Sequence, residues 1–169
     1  MKKHAPIKRH QALVSFSKDH HFGLLLVWKI RQGLQNAVTA ERISNYLLYS
    51  FNEQLALHFK EEEESLFCQL SSEDILRKTA EEDHKAIYNL VAAISVSKDD
   101  PGQLDQFATK LEKHIRFEER ELFIHLQNKM ATVELEKIAD RLSNSSTAAD
   151  NDWEDKFWEI GLSKTKQRE

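Results

Sequence analysis

The sequence is poor in whatever breaks helices or staples loops. It has four glycines, two prolines and one cysteine in 169 residues. With so little to punctuate them, long helices are favoured over strands and tight turns. Cys68 has no second cysteine with which to close an internal disulfide, which points to a reducing, cytoplasmic compartment. No apolar run approaches the roughly 18 residues of a membrane span. The nearest candidate, Leu24-Leu25-Leu26-Val27-Trp28, stops at Lys29. A basic surface is missing too. The net charge is −4 and the pI about 6.1, so there is no electrostatic footprint for nucleic acid. The basic start, residues 1–10, lacks the apolar stretch of a secretory signal. Zincin H-E-x-x-H spacing, paired cysteines, a glycine-rich phosphate loop and a Ser or Cys nucleophile constellation are all absent.

What remains is a chain that is 40% apolar and 31% charged, enough for one domain with a sizeable core. Residues 1–12 read as a loose polar arm. A first helix is predicted from a Ser15 or Ser17 cap to Leu34, and a second from a Thr39 cap through Ala40 to Leu70. Ser71-Ser72 introduces a third, ending near Ser97. The turn Lys98-Asp99-Asp100-Pro101-Gly102 starts a fourth that runs to Met130, and Thr132 caps a shorter fifth over 133–142. Short connections between amphipathic helices predict an all-α fold. Its form is an antiparallel up-down-up-down four-helix bundle over 13–142, with an additional short C-terminal helical segment. Residues 143–152 read as a linker. Trp153, Phe157, Trp158 and Ile160 then form a docking segment, either for the body of the same chain or for a second copy in a homodimer.

One ten-residue pattern occurs twice. His58-Phe59-Lys60-Glu61-Glu62-Glu63-Glu64-Ser65-Leu66-Phe67 and His114-Ile115-Arg116-Phe117-Glu118-Glu119-Arg120-Glu121-Leu122-Phe123 both read H-x-x-x-E-E-x-x-L-F. On a helix the His and the first Glu lie one turn apart on one face. His58 and Glu62 share their stripe with Phe51, Leu55 and Leu66. His114 and Glu118 share theirs with Phe107, Leu111 and Leu122. Two further histidines, each preceded by Asp, fall on the other helices. His20 lines up with Leu13, Phe16, Leu24 and Val27; an alternative register using His21 brings Lys18 and Gln32 inward. His84 lines up with Leu76, Ala80, Ile87 and Val91.

A single His-x-x-x-Glu pair on a charged helix is ordinarily a solvated surface pair, and a lone His on an apolar face is ordinarily a packed core residue. Two matching copies, two Asp-His partners and agreement in depth across alternating helices point instead to a metal site. Imidazole and carboxylate together suit iron, manganese or zinc. Six ligands exceed one tetrahedral ion and fit two, with open positions for a small molecule. The remaining charges of the decapeptides are expected to face water, with Leu and Phe packed beneath the site. Asp19 and Asp83, about 100° around the helix from the neighbouring His, are expected as surface acids. Tyr88 is either a core aromatic or a hydrogen-bonding group beside the site. His125 is expected to lie too far along to bind, Cys68 to be a core or boundary residue, and the tryptophans to pack.

The arrangement H…H-x-x-x-E…H…H-x-x-x-E on four helices resembles the hemerythrin-like (HHE) cation-binding domain family over residues 10–130, including the L-F after each Glu pair. The resemblance implies that His20, His58, Glu62, His84, His114 and Glu118 hold two iron ions in a non-haem centre bridged by the two glutamates. It further implies binding of, or response to, oxygen, nitric oxide or peroxide, in sensing, storage, detoxification or iron-centre repair. The alternatives are a di-iron enzyme with peroxidatic or nitric-oxide-consuming activity, and an iron-responsive interaction module. Oxygen carriers of the family place a second His one turn after the third-helix His, where this chain has Tyr88. They also use Asp five residues after the fourth-helix His, where this chain has Glu118 at four. The pattern is closer to the relatives implicated in repair and in responses to oxygen or nitric oxide.

Overall fold

The computed structural model describes residues 8–142 and 152–160, and among these every regular element is helical. Four rods build the body. The first is α1 (Gln11–Gln35). The second is α2 (Ala40–Ser50), which passes through a π-helical turn, Phe51–Leu55, into α3 (Ala56–Ser65). The third is α4 (Ile75–Val96). The fourth is α5 (Pro101–Phe117), which passes through a second π-helical turn, Glu118–Leu122, into α6 (Phe123–Lys129). A shorter α7 (Thr132–Leu142) packs on α1. No described helix is long and apolar enough to cross a membrane.

Local chemistry sets most of the ends. Asp74 accepts from the N–H groups of Leu76 and Arg77, and Asp100 accepts from those of Gly102 and Gln103 with Pro101 in the first turn. His125 Nε2 donates to Asp74 at 2.7 Å, which fixes this cap to α6. Thr39 occupies a cap position without a side-chain bond to the backbone. α1 begins earlier than the serines suggest, because His10 Nδ1 accepts from Ala12 N–H. The end of the predicted loose arm is tied down. His10 N–H donates to Gln127 Oε1, and Gln127 Nε2 donates to the Lys8 carbonyl. Residues 1–7 of that arm and 143–151 of the predicted linker lie outside the described residues.

Two apolar clusters stack along the bundle. One contains Ile30, Tyr46, Phe51, Ile87, Ile94, Phe107 and Leu111. The other contains Leu13, Phe16, Leu66, Phe67, Ala80, Leu122 and Phe123. The first and third rods run from the second cluster to the first, and the second and fourth rods run the opposite way. The level between the clusters is where every rod carries its inward histidine.

The C-terminal segment forms a single 3₁₀ turn, Phe157–Glu159, rather than a helix of several turns, and it docks on this same chain. Phe157 lies against Gly33, where a Cβ would stand 2.8 Å from the Phe157 ring and from Ile43, so only glycine allows this approach. Trp158 covers the buried Lys29 ammonium at 4.0 Å from its ring centroid, while Lys29 Nζ donates to Tyr46 Oη at 2.8 Å. Asp155 accepts two hydrogen bonds from the Arg42 guanidinium.

Candidate metal centre

Each inward His arrives one to two turns from an apolar anchor on its own rod, which fixes its depth. His20, His58, His84 and His114 are all buried, and Glu62 and Glu118 have no exposed surface at all. His21 is exposed, so the register that turns His20 inward is the one adopted. The imidazole Nε2 atoms converge on the two carboxylates. His20 Nε2 lies 3.3 Å from Glu62 Oε1 and 3.0 Å from Glu118 Oε2. His58 Nε2 is 3.2 Å from Glu62 Oε1, and His84 Nε2 is 3.3 Å from Glu62 Oε2. His114 Nε2 is 3.3 Å from Glu118 Oε2 and 3.1 Å from His84 Nε2.

Two four-residue groups result, His20/His58/Glu62/Glu118 and Glu62/His84/His114/Glu118, and within each the donor atoms lie within 4.8 Å of one another. Both glutamates belong to both groups. All four of their carboxylate oxygens, together with His20 Nε2 and His58 Nε2, are buried without a hydrogen-bond partner. Buried polar atoms are nearly always satisfied, and an unpaired buried carboxylate is destabilising by several kcal/mol. Orphaned imidazole nitrogens and carboxylate oxygens facing one another are the donor set that a transition-metal ion satisfies.

The outward nitrogens show a second level of order, and here two expectations from the sequence are corrected. Asp19 and Asp83 are not merely surface acids. Asp19 Oδ2 stands 3.3 Å from His58 Nδ1, and Asp83 Oδ2 stands 3.5 Å from His114 Nδ1. The second Glu of each doublet, expected to face water, serves the other two histidines. Glu63 Oε1 accepts from His84 Nδ1 and Glu119 Oε1 from His20 Nδ1, both at 2.7 Å. Every rod thus sends one carboxylate to the histidine of the next rod, and the fourth closes on the first.

The geometric reason is simple. A residue one position from a core-facing residue lies about 100° around the helix, at the seam with a neighbour. The acids precede the ligand position on rods one and three and follow it on rods two and four. Because those pairs run in opposite directions, all four acids lean in one rotational sense. A carboxylate on Nδ1–H fixes the tautomer, turning the Nε2 lone pair toward the centre. The repeated D-H and E-E doublets are the sequence signal for this ring.

The walls are aromatic. Phe123 stacks on His20 with centroids 5.2 Å apart, and Phe59 stacks on His84 at 4.0 Å. Phe67, the counterpart of Phe123 in the first decapeptide, lies 5.3 Å from His84. The Phe of each copy packs on a site histidine, and Leu66 and Leu122 lie with them in the second apolar cluster. Tyr88 is 41% exposed and meets Phe51 and Phe59 edge-on, so it is not a core residue. Cys68 is also exposed, correcting its expected core or boundary position.

The electrostatics follow from the crowding. Burial alone would lower His58, but Glu62 and Asp19 carry it up to about 9. Burial likewise opposes charge on His84, and Glu62 and Glu63 raise it to about 9. His20 is raised against burial by Glu118, Glu119 and Glu62. Burial would raise Glu119, yet His20, Ser17 and Arg9 hold it down at about 2. Glu62 is lowered despite complete burial, by His58, His20 and His84. The buried carboxylates thus favour the protonated form of His20, His58 and His84.

A family model of the hemerythrin HHE cation-binding domain matches residues 13–126. No curated protein and no solved structure matches the chain.

Proposed function

The chain belongs to the hemerythrin HHE cation-binding domain family, and from that premise we propose that it binds two iron ions and uses them to bind or respond to oxygen, nitric oxide or peroxide. The ligands in this reading are His20, His58, Glu62, His84, His114 and Glu118, with both glutamates shared between the ions, on an antiparallel up-down-up-down bundle. The observation that carries it is the sharing of Glu62 and Glu118 by two donor groups whose inward atoms are buried and unpaired. The alternate passage of the rods between the two apolar clusters supports the topology.

Iron held by these residues would supply redox chemistry toward a small molecule. The protein's own contribution is positional. Glu119 and Glu63 hold His20 and His84 through Nδ1, while Asp19 and Asp83 stand beside Nδ1 of His58 and His114. Phe59, Phe67 and Phe123 exclude water from around the rings, which strengthens every charge interaction inside. The two glutamates and the ring together supply negative charge for cations.

Anaerobic reconstitution with ferrous iron tests this directly. About two irons per chain are expected, with an absorption spectrum that changes on addition of oxygen or nitric oxide. Glu62→Ala or Glu118→Ala should prevent retention of the pair, since each removes a ligand from both ions. A wild-type chain that retains no transition metal refutes the reading.

A further inference from the structure

A groove of about 440 Å³ opens between α1 and α3 and ends against His58. Its lining includes three carboxylates, Asp19, Glu53 and Glu61, against one ammonium, Lys18. Arg141, whose charge is felt at Glu61, is engaged with Ser65 Oγ at 2.8 Å. The acids alone would be an ordinary solvated face. What distinguishes the groove is the side chain at its floor. His58 is 4% exposed, and neither ring nitrogen has a hydrogen-bond partner. Its Nε2 faces Glu62 and its Nδ1 lies on the side of Asp19.

None of the other three histidines lines the groove, and of these only His114 shares an unpartnered Nδ1. His20 and His84 each make a 2.7 Å bond through Nδ1. The acid beside His114, Asp83, is ion-paired with Lys110 and only 16% exposed. Asp19 is 52% exposed and pairs with no lysine or arginine among the described residues. Of the two His–carboxylate contacts that are not hydrogen bonds, the one whose acid is exposed and lacks a cationic side-chain partner among the described residues therefore stands where an acidic groove meets the centre.

We propose that this groove is the port through which a divalent cation reaches the buried site, with Asp19, Glu53 and Glu61 drawing the ion to the mouth and His58 turning to pass it to Glu62. The proposal rests on the metal reading above and deepens it. Ions enter a closed aromatic-walled bundle where charge attracts them and where the ring nitrogens of one ligand are not hydrogen-bonded. Attraction by a small cluster of like charges acts on the association rate more than on the final affinity.

Stopped-flow uptake of cobalt(II) by the metal-stripped full chain tests it. The double variant Glu53→Gln/Glu61→Gln should slow uptake about fivefold at low ionic strength, while the final number of ions bound is unchanged. Leu57→Arg, which places a cation in the groove lining, should slow it further. Glu64→Gln/Glu121→Gln is the control, with the same loss of two negative charges but at exposed residues outside the groove lining, and it should leave the rate within about twofold. Equal slowing in the control and the groove variants, or no slowing in the groove variants, overturns the port. So does a loss of bound ions in the double variant, which would make these acids ligands. A wild-type chain that takes up no cobalt or iron overturns the metal reading itself, a result distinct from normal binding at an unaltered rate.

Discussion

Metal binding should expel protons from this protein, and the number can be worked from the site. His58 and His84 are held up to about 9 by the carboxylates around them, and His20 is raised in the same direction. At pH 7.5 a group titrating at about 9 is roughly 97% protonated. A metal ion needs the neutral imidazole, so loading both positions displaces about two protons per chain from His58 and His84, with His20 adding in the same direction. The product of the two binding constants should then rise at least about a hundredfold per pH unit between about 6.5 and 9, and less steeply above. Calorimetric titration of the stripped protein with zinc or cobalt, at one pH in buffers of different ionisation enthalpy, counts those protons. Stability of the metal-free chain runs the other way. Groups raised on folding contribute stability that is fully present below the unfolded value of about 6.5 and lost as pH rises through 9. For His58 alone the shift from 6.5 to about 9 corresponds to roughly 3 kcal/mol. The stripped protein should therefore melt at lower temperature as pH climbs from 6.5 to 9, while metal binding tightens. Release of fewer than one proton at pH 7.5, or a melting temperature that rises across that interval, refutes the account.

Three further outcomes are expected. Glu63→Gln and Asp83→Asn should each weaken metal binding about 10- to 100-fold with helix content unchanged; affinities equal to wild type in a chelator competition would deny the carboxylate ring a positioning role. Phe157→Ala should destabilise the chain by about 3–5 kcal/mol in urea denaturation, because a fully buried ring leaves a cavity against Gly33 and Ile43; a change below about 1 kcal/mol would mean that the C-terminal turn adds nothing to the body. Ala37 joins α1 to α2 with φ of 53°, and Ala37→Gly should raise stability by about 1 kcal/mol by removing a left-handed alanine; no gain in the denaturation midpoint would show that the strain is relaxed elsewhere.

What the chain declares by itself is whatever its helices fix locally. His58 with Glu62 and His114 with Glu118 share a face on any α-helix, since four residues make about one turn. The apolar stripes through His20 and His84 face inward because no other register buries as much, and Asp74 and Asp100 cap within three residues of themselves. Those facts suffice to read a helical protein with six inward donors. The tertiary structure alone decided the rest. Asp19, Glu63, Asp83 and Glu119 sit about 100° off the stripe, and whether such a position meets water or a neighbour's imidazole depends on how the rods pack. The two decapeptides also diverge in backbone. The first closes after Ser65 into a 3₁₀ turn, whereas the second continues through the π-helical turn that starts at Glu118. Nothing in their shared pattern separates these outcomes, because each is chosen by the elements packed around it. The seat of Phe157 on Gly33 is likewise invisible in the sequence, since it joins residues more than a hundred positions apart. Hydrogen bonding along a helix is a short-range property that a sequence can state, and contact between helices is a property of the assembled bundle.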